Sequence, residues 1–79
     1  MASYVGLYRG ITVGQLDPMG AGRVQISLPA FEAAGTRWAK VCAPLGAVNR
    51  APVAVGAEVW VMFENGQLDY PVVMGLARA

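Results

Sequence analysis

The chain has 79 residues, room for one domain, and a core that small supplies only about 3–5 kcal/mol on its own. Its single cysteine, Cys42, excludes an intrachain disulfide, and the absence of histidine removes the usual zinc sites and the His-dependent nucleophile systems. Net charge is +1 and only 14% of residues are charged, against about 25% in an average soluble domain, while 56% are hydrophobic, so apolar groups must remain on the outside, where they mark an interface.

Along the chain the dominant period is two. Over residues 4–15, Val5, Leu7, Ile11 and Val13 share one parity, which Arg9 interrupts, and Gly6, Gly10 and Gly14 punctuate the other. Glycines inside a strand mark bends or bulges, so a long, bent first strand is expected. Asp17-Pro18-Met19-Gly20 has the residue order of a type I turn. Arg23 to Leu28 alternates cleanly, with Val24, Ile26 and Leu28 inward. Pro29 ends that strand, and residues 30–35 read as loop. Thr36 to Cys42 forms a third strand, with Arg37, Ala39 and Val41 on one face and Trp38, Lys40 and Cys42 on the other. Pro44 to Val55 reads as a long connection. Glu58 to Glu64 is the strongest strand, placing Val59, Val61 and Phe63 on one face and Trp60 and Met62 on the other. Asn65-Gly66 is a hairpin signal, and Pro71 opens the last strand through Leu76.

Five short strands without a convincing helix predict an all-β barrel, with residues 1–79 as one domain. The bent first strand and the long third-to-fourth connection fit the OB-fold, a five-stranded Greek-key barrel, better than an SH3-like one. Val24, Ile26, Val41, Val59, Val61 and Phe63 are the expected core.

Several blocks, in order, resemble the OB-fold domain of the phage baseplate assembly protein V family, which includes the spikes of contractile tails and of type VI secretion. They are Tyr8-Arg9-Gly10-Ile11, Asp17-Pro18, Gly20, Gly22-Arg23-Val24, residues 36–41 and Pro44-Leu45. The strongest stretch holds Val55-Gly56, Glu58-Val59-Trp60-Val61, Phe63-Glu64-Asn65-Gly66, Asp69 and residues 71–75. Ala57 stands where the family often has an acid, Tyr70 where it often has a base, and no aromatic precedes Pro52. The resemblance implies a structural component of a tail baseplate, spike hub or related injection machine. Such a protein is made in the bacterial cytoplasm and docks as a homo-oligomer, a trimer, onto hub and spike-tip proteins at the tail tip. Because the barrel occupies almost the whole chain, docking rather than piercing is the expected part.

Site chemistry is sparse. Trp60, Met62 and Trp38 are the candidate interface residues, since Trp and Met are enriched where proteins meet. The alternative is a single-stranded nucleic-acid binder, with Trp38 and Tyr8 as stacking platforms. The six cations are dispersed, with no two adjacent, which argues against it. Glu58 and Glu64 end one strand about 20 Å apart at ~3.3 Å per residue, too far for a glycosidase pair. Cys42 reads as a small buried or half-buried hydrophobe. No enzyme activity, metal or cofactor is expected. No apolar run approaches the ~18 residues of a membrane span, and no secretory signal is evident.

Overall fold

The computed structural model describes residues 3–43, 45–46 and 54–77, and for 32–34 the backbone alone. Pro44, Pro52 and most of the expected long connection lie outside the described residues, as do Arg50 and Arg78. The strands are β1 (Tyr8–Gly14), β2 (Val24–Ser27), β3 (Thr36–Val41), β4 (Glu58–Phe63) and β5 (Pro71–Leu76). They close into a barrel in the order β1-β2-β3-β5-β4, with β1 pairing back onto β4. Every pairing is antiparallel except β3 with β5, where Lys40 lies opposite Val72 and Val41 opposite Val73. The all-β class and the five-stranded barrel expected from the sequence are what the chain adopts.

The alternations in β2 and β4 bury what they predict. Val24, Ile26, Leu28, Ala39, Val59, Val61, Phe63 and Val73 form one core. Val41, expected with them, is only half-buried and packs against the core's edge, because β3 ends there.

β1 is shorter than expected, and its apolar parity faces out. Ile11 and Val13 are exposed, as are Val5 and Leu7 ahead of the strand. The inward positions hold Tyr8, Gly10 and Thr12. Gly10 explains the choice of face. A Cβ built there would lie 3.1 Å from Val61 Cγ2 and 3.4 Å from the Ser27 carbonyl oxygen, so the two strands close over it only because it has no side chain. A register shift between Thr12 and Gly14 supplies the bend.

Residues expected as loop form a 3₁₀ segment, Pro29–Ala34, kinked at Phe31. Pro29 suits its first position, where no N–H is needed. Phe31 thereby reaches Tyr8 and Phe63, with ring centroids 5.2 and 6.3 Å away. Tyr4 joins them at 5.1 Å from Phe31 and 5.8 Å from Phe63. These four rings close the end of the barrel where β1 and β3 begin and β2 and β4 end.

Asn65-Gly66 does turn the chain, but the link between β4 and β5 is longer than a two-residue hairpin and runs from Glu64 to Tyr70. Asn65 and Gly66 both take positive φ, 56° and 68°, within the turn that Gln67 N–H closes onto the Glu64 carbonyl at 3.0 Å. A second turn follows, closed by Tyr70 N–H on the Gln67 carbonyl at 3.0 Å. The Gly66 carbonyl accepts Tyr4 N–H at 2.9 Å, which holds the N-terminal arm in place.

Candidate assembly surface

β4 pairs with β1 on one side and β5 on the other, so its outward side chains sit mid-way across a three-stranded outer face. Those side chains are Trp60, half-buried, and Met62, 41% exposed. Arg9 of β1 and Gly75 of β5 flank Trp60 in register, and Val72 flanks Met62. The register skips Met74, which is exposed beside them. Leu7 and Ile11, of the same parity as Arg9, extend the face along β1. The outer face across β1, β4 and β5 therefore carries an apolar strip, interrupted by Arg9. The repeated parity of Leu7, Ile11 and Val13 was the signal for this strip; only the direction it faces was missing.

Charge on the barrel is cancelled in pairs. Arg9 Nη1 lies 3.0 Å from Glu58 Oε2, and its guanidinium carbon lies 4.6 Å from the Trp60 ring centroid. Lys40 Nζ reaches Glu64 Oε1 at 3.3 Å, which spans β5 and borders Val72 and Met62. Arg37 Nη1 meets Asp69 Oδ1 at 2.9 Å, and Arg23 Nη2 meets Asp17 Oδ1 at 2.8 Å. Among the described residues, each Lys or Arg side chain thus has its own carboxylate. Exposed pairs such as Arg9–Glu58 add little stability, about 0–1 kcal/mol, but they leave no basic stripe on the described surface.

Trp38 does not join Trp60 and Met62. It lies opposite Gln25 of β2, and β5 separates its strand from β4. With Gly14, Gln15, Leu16, Gln25 and Val55 it lines a separate cleft of about 400 Å³. The Arg23 guanidinium lies 5.6 Å from its ring centroid.

That guanidinium is fixed by the preceding turn. The Asp17 side chain is 3% exposed and accepts five hydrogen bonds: from Met19 N–H, Ala21 N–H and Arg23 N–H, and from Arg23 Nε and Nη2 at 2.9 and 2.8 Å. Gly20 N–H closes the expected turn on the Asp17 carbonyl at 2.9 Å. The Arg23 guanidinium holds the Asp17 carboxyl well below the usual carboxylate range; burial opposes this, and the three backbone N–H groups reinforce it. In turn the carboxylate raises the Arg23 pKa.

Cys42, expected buried or half-buried, is exposed, because the alternation that half-buries Val41 turns the next residue outward. Glu58 and Glu64 each belong to a different ion pair. Among the described residues no three of His, Cys, Asp and Glu are grouped to hold a metal ion. No helix among them is long and apolar enough to cross a membrane.

Against this fold, the profile of the type VI secretion system/phage-baseplate injector OB domain matches residues 8–77. The chain belongs to that family. The matched span runs from the first residue of β1 to just past β5, so it takes in the whole barrel. Among curated proteins none matches the chain. The injector OB domain therefore carries its apolar strip and its paired charges on a barrel typical of baseplate components. Sequence reasoning missed the Tyr4–Phe31 contact and the pairs Arg9–Glu58, Arg37–Asp69 and Lys40–Glu64, which depend on residues brought together from distant parts of the chain, and it missed the local pair Asp17–Arg23 as well.

Proposed function

We propose that this injector OB domain is a rigid, non-catalytic part of a phage tail baseplate or related injection machine. It assembles with copies of itself, as a trimer, through the strip around Trp60 and Met62, and the assembly docks onto a hub protein at the tail tip. The supporting observation is the apolar outer face of β1, β4 and β5, bounded by Arg9–Glu58 and Lys40–Glu64. One small core gives limited stability, and burying a face against a neighbour supplements it; a stable contact needs about 800 Å² from each partner. Single-stranded nucleic acid is a weaker reading, because backbone binding needs cations free to replace counterions, and the described ones are already paired.

Trp60→Glu tests the proposal. The barrel stays folded, since position 60 faces outward on β4 and is not part of the core. Assembly is lost, because a further carboxylate between Glu58 and Glu64 cannot be desolvated in an apolar contact. Light scattering on a sizing column reads the mass, and circular dichroism on the same sample reads the fold. A Trp60→Glu protein that keeps the wild-type mass above that of one chain, or a wild-type protein that is a monomer, overturns the self-assembly reading. Salt-sensitive tight binding to oligo-dT would favour the nucleic-acid reading.

A further inference from the structure

The loop joining β1 and β2 combines two features that a mere connection does not need. Inside, one nearly buried carboxylate, Asp17, organises it through five hydrogen bonds and so fixes the backbone from Met19 to Arg23. Outside, two large apolar side chains are left in water: Leu16 is 89% exposed and Met19 77%. Arg23 carries the rigidity on to Trp38, whose cleft Leu16 also borders. An ordered loop loses little further entropy on binding, so apolar groups held out on it are suited to docking. We infer that Leu16, Met19 and the Trp38 cleft form a second docking surface, separate from the Trp60–Met62 strip, which takes an uncharged, apolar segment of a partner protein. The inference rests on the proposed role as an assembly component.

Charge selects that occupant. The six described residues lining the cleft include no ionisable side chain, and Arg23 above Trp38 is already neutralised by Asp17. A charged segment would be desolvated there without a counter-charge. Among the described residues nucleic acid would find no free cation, and neither would an anionic lipid surface, which draws on basic groups beside the apolar ones. Gln15 and Gln25 supply the polar part. The Gln25 amide nitrogen donates to Thr36 Oγ1 at 2.8 Å, which leaves its carbonyl to accept a backbone N–H from an extended segment. The cleft's volume suits one or two aliphatic side chains, while Leu16 and Met19 project into the partner.

The test replaces the gene, in the genome that encodes the chain, with a Leu16→Ser/Met19→Ser variant. Particles are purified on a density gradient, and the chain in them is quantified by mass spectrometry. Both substitutions sit on exposed side chains, so the purified variant should keep the wild-type circular dichroism spectrum and the wild-type mass in light scattering. Its incorporation into particles should fall at least tenfold. Wild-type incorporation of the folded variant refutes the second surface and leaves the Trp60–Met62 reading standing. Loss of self-association in the variant also refutes it, by making the loop part of the contact between copies. Flotation of the wild-type protein with phosphatidylcholine/phosphatidylglycerol vesicles, abolished by the same substitutions, would replace the protein partner with a lipid surface. Particles that lack even the wild-type chain overturn the assembly role and this inference together.

Discussion

Thr12→Val probes why β1 turns its polar parity inward. Thr12 is 1% exposed, and its Oγ1 donates to the Ala54 carbonyl and accepts the Ala57 N–H at 3.0 Å. Its backbone adds two more links to the same segment, from Thr12 N–H to Ala57 O at 3.0 Å and from Gly56 N–H to Thr12 O at 2.7 Å. Valine keeps the shape and the backbone bonds but loses both side-chain bonds. A net hydrogen bond contributes about 0.5–1.5 kcal/mol, so two contribute roughly 1–3 kcal/mol. Ala54 is exposed and its carbonyl can turn to water, which puts that bond at the low end; Ala57 is half-buried, and its N–H is left without a partner. The added methyl recovers about 0.8 kcal/mol. The expected loss is therefore roughly 1–2 kcal/mol. With a urea m-value of about 1 kcal/mol/M for so small a domain, the midpoint falls by roughly 1–2 M while m stays the same. Wild type and variant must be compared at equal protein concentration, because self-association raises apparent stability. Hydrogen exchange at Ala57 should accelerate more than at Val59, which lies deeper in β4. A Thr12→Val protein as stable as wild type, with Ala57 equally protected, would refute the view that the hydroxyl pins the start of β4.

Phe63→Ala removes the ring that contacts Tyr4, Tyr8 and Phe31 together and should cost about 3–5 kcal/mol, close to the whole stability of an isolated barrel; a loss under about 1 kcal/mol in a denaturant melt would show that the aromatic end is not part of the core. Asp17 sets an acid limit. Its folded-state pKa is depressed below the ordinary 3.8, so its stabilisation is complete above that value and is lost as pH falls below it. The stability gap between wild type and Asp17→Asn should therefore narrow from about pH 5 to about pH 2, and a gap that holds constant across that range would remove Asp17 from the acid response.

Two of the strands were legible because their patterns are local. In Val24–Leu28 every second residue is apolar, and in Glu58–Glu64 the two glutamates mark the parity of Trp60 and Met62 as the outer one; a strand has only two faces, so the core set follows once the period is recognised. The turns at Asp17–Gly20 and Asn65-Gly66 were legible for the same reason, since a positive φ or an Asx-stabilised bend is a property of adjacent residues. The outward placement of Trp60 and Met62 followed from the parity they share with Glu58 and Glu64. Only the tertiary structure decided which side of β1 faces in. Its apolar residues and its glycines offer two plausible faces, and the space left by Val61 and Leu28 admits only Gly10. Tertiary structure also separated Trp38 from Trp60, because the parallel β3–β5 pairing inserts a strand between β3 and β4. The long-range ion pairs were equally hidden. Arg9 and Glu58 lie 49 positions apart in the chain and meet only because β1 closes the barrel onto β4, so the sequence carries no sign of such a pair until the barrel forms.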